Sequence, residues 1–204
     1  MPRLRLGGLT PLTTIDFPGQ LAAVVFCQGC PWRCSYCHNR HLQPGRGEQK
    51  LVWGEVISFL HHRRGLLDAV VFSGGEPTLQ PDLPAALREV RALGFQVGLH
   101  TAGVYPARFA RLLPELSWVG LDIKAPWPRY DDLTGMRGSG DRAQHTLQLL
   151  QRSGVPYECR TTWHPGLFPE SELQALGEDL AARGVKRWTV QPCRLPGSVP
   201  VSLP

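Results

Sequence analysis

The 204-residue sequence predicts an α/β fold: parallel strands with outer helices, curved into a partial (β/α)6 barrel. Three observations predict it. From residue 20 onward, six short β-branched runs alternate with five helical patterns. Four of the helical stretches end at a glycine followed within a few residues by a new strand. Nearly every unusual polar group follows the C-terminal end of a strand, the edge where parallel α/β folds build their sites. Periodicity alone also admits an open doubly wound sheet. Contributions from all six strand ends favour the curved sheet, because a doubly wound one concentrates its site at one switch point.

The elements follow in order. "LAAVVF" (21–26) is the first strand, and the helix near 53–64 returns the chain through Gly65 to "AVVFS" (69–73). A helix near 82–93 opens at Asp82, closes at Gly94 and leads into "QVGLHT" (96–101). A short helix near 106–113 precedes "WVGLDI" (118–123). The helix near 141–153 begins with Asp141, suited to exposed amides, and ends at Gly154 before "YECRTT" (157–162). "PESE" (169–172) opens the last helix, near 170–183, and Gly184 precedes the strand "RWTVQ" (187–191). A single domain is expected, with its core at 21–193 and a short tail at 194–204.

Composition narrows the classes. Hydrophobic residues make up 42% and charged residues 19%, as in ordinary globular chains. The net charge of +5 is almost all arginine, since Lys50, Lys124 and Lys186 are the only lysines. No block of five like charges occurs, so no nucleic-acid tail is indicated, although a diffuse basic surface favours acidic partners. The N-terminus lacks an apolar stretch of signal-peptide length, and no run approaches the roughly 18 apolar residues of a membrane span. A cytoplasmic protein is expected, with its six cysteines reduced or bound to metal.

"FCQGCPWRCSYCHNR" (26–40) holds four of those cysteines: Cys27, Cys30, Cys34 and Cys37. Zinc ribbons separate two C-x2-C pairs by roughly 15–20 residues, so a gap of three is cramped for one tetrahedral ion. Ferredoxin runs use C-x2-C-x2-C, which does not fit either. Setting Cys27 aside leaves C-x3-C-x2-C, with Tyr36 just before the last cysteine. Three thiolates hold three irons of a cubane and leave the fourth open to an exogenous ligand, as open zinc sites do in catalysis. Cys27 ends the first strand, where packing accounts for it.

This loop after a first strand, with "SGGEPT" after the second, resembles the radical S-adenosylmethionine (SAM) superfamily. "TTIDFPGQ" is similar to the hairpin that precedes the cluster strand in glycyl-radical-enzyme activating enzymes, and places an N-terminal hairpin at 1–20. "LDIKAP" and "ECRTTWHPG" resemble that family's fourth and fifth strands. The likeness spans about residues 10–193, and within the family it is nearest to short activases of anaerobic ribonucleoside-triphosphate reductase. It implies one [4Fe-4S] cluster on Cys30, Cys34 and Cys37, with SAM on the open iron.

The resemblance also assigns contacts to SAM. Gly74 and Gly75 allow a close backbone approach, and Glu76 offers an acceptor to the methionine ammonium; a strand-to-helix turn that needs glycine is the plainer reading. Tyr36 belongs to the same cofactor-binding set. "HTAG" stands where related activases carry a DTNG-like sequence: Thr101 and Gly103 match, His100 and Ala102 depart. Some relatives place a monovalent cation there; His100 reads equally as a core histidine or a ligand contact. Asp122 and Lys124 alternate with Ile123, so both face one side, as SAM contacts or as a buried ion pair. Lys124 is also a candidate catalytic residue. Arg160 suits the SAM carboxylate or ribose and shares a face with Glu158 and Thr162. His164 and Gln191 are further cofactor-binding candidates, while Cys159 and Cys193 read as buried thiols. Cys27, Trp32, Arg33, His38 and Asn39 are expected to shape the cluster surface or to admit the partner.

The implied activity is reductive SAM cleavage, followed by hydrogen abstraction from a glycine of a partner enzyme. Anaerobic ribonucleotide reductase is the favoured partner, and a flavodoxin or ferredoxin supplies the electron. The rivals are a formate-lyase activase, a small-molecule enzyme like the 7-carboxy-7-deazaguanine synthases, an iron–sulfur carrier, and a zinc module.

Overall fold

The structure is a computed structural model that describes residues 2–47 and 51–193; the expected tail at 194–204 lies outside them. One seven-stranded sheet organises the chain, its strands in sequence order. β1 (Leu6–Thr13) pairs antiparallel with β2 (Ala22–Cys27). β3 (Ala69–Gly74), β4 (Gln96–Thr101), β5 (Trp118–Asp122), β6 (Tyr157–Trp163) and β7 (Trp188–Pro192) then add in parallel. The sheet does not close, and β1 and β7 are its edges. The crossovers carry α1 (Trp53–His61), α2 (Leu83–Ala92), α3 (Pro106–Leu112), α4 (Tyr130–Thr134), α5 (Ser139–Ser153) and α6 (Glu170–Ala182).

The six expected parallel strands are present as β2 to β7, and β1, from the segment read as a hairpin, adds a seventh that runs antiparallel. "LGGLTPLT" holds two glycines and a proline, which weaken a strand signal. An edge position tolerates them, and the β1–β2 register slips at Leu6/Gly8 and Thr10/Thr13. The stretch before α5 also contains α4, a five-residue turn of helix too short to show a period.

Strand alternation divides the side chains. Ala23, Val25, Val70, Phe72, Val97, Leu99, Val119 and Leu121 point to the helices and form the larger core. α2 answers with Leu83, Ala86, Leu87 and Val90, the spacing of one helix face. The inner face has a smaller plug at the strands' N-terminal ends: Phe17, Ala22, Val24, Ala69, Val71 and Trp118. Phe17 stacks on Trp118 with ring centroids 5.3 Å apart. With that end filled, the inner face is free for polar groups only toward the strands' C-terminal ends.

Candidate active site

The cysteine loop is anchored by four main-chain hydrogen bonds to three separate segments. Gln28 N donates to Arg5 O (2.9 Å), Cys30 N to Gln43 O (3.0 Å), Arg33 N to Thr134 O (2.8 Å) and Ser35 N to Leu133 O (3.1 Å). After β3, Gly75 N donates to Cys27 O at 2.8 Å and Glu76 N to Gly29 O at 2.9 Å. Gly74 sits at φ +103°, and a Cβ on Gly75 would lie 2.3 Å from Gly29 O. Both glycines are thus required by the turn and by its contact with the cysteine loop. Two buried glutamines bolt the loop: Gln28 Nε2 donates to Pro44 O (2.7 Å), and Gln80 Nε2 donates to Gln28 O (2.7 Å).

Above the inner face lies a cavity of about 180 Å³. Cys30, Cys34, Cys37 and Tyr36 line it together with Gly74, Gly75, Thr101, Asp122, Lys124 and Arg160. Among the described residues no three His, Cys, Asp or Glu side chains converge on a position for one metal ion. Spread thiols suit a cubane, whose three ligands bind three different irons. Burial, and secondarily the Glu76 carboxylate, push the Cys30 thiol up to about 12, and burial also raises Cys34. Such thiols are poor free nucleophiles and become thiolates when metal supplies the counter-charge. The only buried side-chain polar atoms without a hydrogen-bond partner among the described residues are Trp32 Nε1 and Tyr36 Oη. Both belong to residues between the cysteines that line the cavity. Orphaned donors are rare in folded chains, and here they accord with a bound group that accepts hydrogen bonds.

Asp122 forms the opposite wall. It stands beside Arg160 in the β5–β6 register and accepts from Arg160 Nη2 and Nε at 2.9 and 3.1 Å, and from Lys124 Nζ at 2.9 Å. Burial works against its charge, yet Lys124 and then Arg160 hold its carboxyl well below the usual range. Burial lowers Lys124, and Asp122 more than offsets this, so the ammonium stays charged. Ile123 is buried in the outer core, which turns Asp122 and Lys124 inward as alternation requires. Gly120 makes room for the arrangement, since a Cβ there would lie 2.9 Å from Arg160 Cζ.

His100 also lies on the inner face, its ring edge-on to Trp118 and its Nε2 donating to Asp16 O at 2.8 Å. Burial, then the nearby Arg160, lower its pKa to about 4. The unfolded chain therefore binds the extra proton between pH 6.5 and 4, so this contribution to stability is intact above 6.5 and lost as pH falls toward 4. It is on the order of 3 kcal/mol. His100→Gln is expected to flatten the dependence of melting temperature on pH in that window; an unchanged slope would refute it.

Three sequence candidates lie outside the cavity lining. Glu76 is buried and accepts from Thr78 N (3.0 Å), Thr78 Oγ1 (2.6 Å), Thr101 Oγ1 (2.8 Å) and Ala102 N (3.1 Å). It ties the turn after β3 to the end of β4. His164 Nδ1 accepts from Gly166 N at 2.9 Å in the loop after β6, and Gln191 is exposed on β7. Cys27 and Cys159 belong to the outer core, and Cys193 Sγ lies 3.5 Å from His38 Nε2. Ser73 and Gln43 line the cavity without having been singled out; inward alternation on β3 signals Ser73, and nothing signals Gln43.

Fold and site place three thiols and a charged set in one cavity at the strand ends, an arrangement able to hold a cluster beside a polar ligand. The sequence model of the Radical SAM superfamily matches residues 24–177, and the chain belongs to that superfamily. Its cofactors are accordingly a [4Fe-4S] cluster and SAM, and its class is oxidoreductase. A Methanocaldococcus jannaschii protein named as a glycyl-radical enzyme activating enzyme is 32% identical over 182 residues, covering 85% of this chain and 74% of that one. A pyruvate formate-lyase-activating enzyme of Clostridium pasteurianum is 34% identical over 176 residues, covering 82% and 72%. Among solved structures, Streptococcus suis SuiB bound to S-adenosylmethionine matches with TM-score 0.66 at 15% identity, a likeness of fold alone. The match covers 82% of this chain, which spans 39% of SuiB. Among the described residues no helix is long and apolar enough to cross a membrane.

Proposed function

We propose that the chain activates a glycyl-radical enzyme: it cleaves SAM reductively and removes a hydrogen atom from a glycine of its partner. The observation that carries this is the single cavity shared by Cys30, Cys34 and Cys37 and the charged set Asp122, Lys124 and Arg160. When bound, the cluster supplies the electron that breaks the sulfonium bond and yields a 5′-deoxyadenosyl radical. Cys30, Cys34 and Cys37 would hold it, with Tyr36 and Trp32 as neighbouring donors. Asp122 presents an acceptor to an ammonium, while Arg160 and Lys124 present donors to a carboxylate or ribose. Gly74, Gly75 and Thr101 line the remaining approach. The other cysteines are scattered over β2, β6 and the end of β7, so no second cluster is expected and the electron comes from a flavodoxin or ferredoxin.

The activase reading is supported by relatives named for glycyl-radical enzyme activation over four-fifths of the chain. Within that class we favour anaerobic ribonucleotide reductase, on the likeness to its short activases. A pyruvate formate-lyase is the second reading, favoured by relatives so named, including one from Escherichia coli at 32% identity. Anaerobic reconstitution with iron and sulfide, then dithionite and SAM, is expected to yield 5′-deoxyadenosine; its absence with both cofactors bound would sink the reading. Electron paramagnetic resonance then decides which partner acquires a glycyl radical.

A further inference from the structure

Charge is unevenly spread over this surface. Residues 17–47 contain Arg33, Arg40 and Arg46 and not one aspartate or glutamate. All three arginines are exposed, as are His38 and His41. Arg5, also exposed, leans on the same loop, donating to Gly45 O at 3.0 Å. Three surface arginines elsewhere meet carboxylates: Arg91 with Glu115 at 3.1 Å, Arg183 with Asp179 at 2.7 Å, and Arg129 with Glu172. Among the described residues, Arg33 and Arg40 of the cysteine loop meet carbonyls instead. Arg33 donates to Cys30 O and Trp32 O, and Arg40 to Ser35 O at 2.8 Å. A carbonyl satisfies a guanidinium N–H without cancelling its charge, so the loop keeps a positive field. The anchoring also holds the side chains in place, which lowers the ordering cost of docking onto them.

The placement gives this field a direction. None of Arg33, Arg40 and Arg46 lines the cavity, whereas Trp32, His38, Asn39 and Gln43 of the same loop do. The loop therefore has one side toward the cofactors and an exposed basic surface apart from them. An electron bound for Cys30, Cys34 and Cys37 has to cross this loop or pass the cavity mouth, and the mouth is needed by the substrate. We propose that the exposed face of residues 30–46 docks an acidic one-electron carrier protein, whose carboxylates meet Arg33, Arg40, Arg46 and Arg5. The inference rests on the activase reading. One electron leaves the carrier, which is oxidised by one electron, and enters the cluster, which is reduced by one; no bond is made or broken.

The test uses the reconstituted full chain and a reduced flavodoxin of net negative charge, with cluster bleaching followed by stopped flow. The unaltered chain should be reduced quickly at low salt and more slowly as salt rises. Arg40→Glu with Arg46→Glu should lower the low-salt rate about ten-fold or more and flatten its salt dependence. Arg40→Lys with Arg46→Lys should keep the rate. Photoreduced 5-deazaflavin, a small reductant that needs no docking face, should reduce all three proteins alike and give equal 5′-deoxyadenosine. A charge-reversed protein that keeps its flavodoxin rate, or is slowed equally with deazaflavin, overturns the proposal. So does one reduced normally that fails only to install the glycyl radical, since the face would then belong to the substrate enzyme. If the unaltered chain makes no 5′-deoxyadenosine even with deazaflavin, the activase reading itself falls, and the docking proposal with it.

Discussion

Cys34→Ser should give a folded protein that retains little iron and cleaves no SAM, while Cys27→Ser keeps both. The contrast follows from which face of the loop each thiol serves. Cys34 lines the cavity, and removing it leaves two thiols for a cluster that needs three. Cys27, three residues before Cys30, is fully buried in the outer core, on the opposite side of β2 from the plug residues Val24 and Ala22. Burial pushes its thiol up to about 12, which suits a small packed hydrophobe. Serine there leaves a hydroxyl among apolar neighbours, a cost of about 1–3 kcal/mol. Iron and sulfide content with the visible absorbance of the cluster, read beside the melting temperature, separates the two outcomes. If Cys27→Ser loses the cluster with its fold intact, the three-plus-one assignment is wrong.

The second large effect is expected at Asp122. Its carboxylate is shared by Lys124 and Arg160, so Asp122→Asn keeps the shape and leaves two cations without their counter-charge. Breaking a fully buried pair costs about 3–5 kcal/mol. Asp122 is 28% exposed at the cavity, so water screens part of this and about 2 kcal/mol is expected. That lowers the melting temperature by about 4–8 °C in a chain of this size. SAM cleavage should fall by at least two orders of magnitude, because the wall that would orient the ligand carries two repelling cations. Adding Lys124→Gln should recover part of the stability and none of the activity. An unchanged melting temperature for Asp122→Asn would show that the three groups do not depend on one another.

Much of this was legible in the sequence because it rests on period and spacing. Alternation alone put Asp122 and Lys124 on one face and Arg160 on the face opposite Cys159, and the helix-ending glycines Gly94, Gly154 and Gly184 all adopt positive φ. What could not be read depends on long-range fit. β1 is a strand because β2 offers it an edge, against its own glycines and proline. Glu76 could be marked as an acceptor, but its use on Thr78, Thr101 and Ala102 is fixed by how β3 and β4 end side by side. Gln28 and Gln80, which bolt the cysteine loop, carry no signal, since glutamine is ordinary until two buried ones meet.

The anchoring of that loop has a temporal consequence. The three thiols proposed as its ligands are complete by residue 37, yet its shape depends on Glu76 and on Leu133 and Thr134, nearly a hundred residues further along the chain. Contacts of such sequence separation form late, because a long intervening segment has to be closed first. A nascent chain therefore carries all three ligands long before it has a shaped place to use them. Iron insertion at that stage would meet loose thiols, and productive insertion waits for the second half of the molecule. Cluster content in this protein would thus double as a report on whether α4 has folded onto the loop.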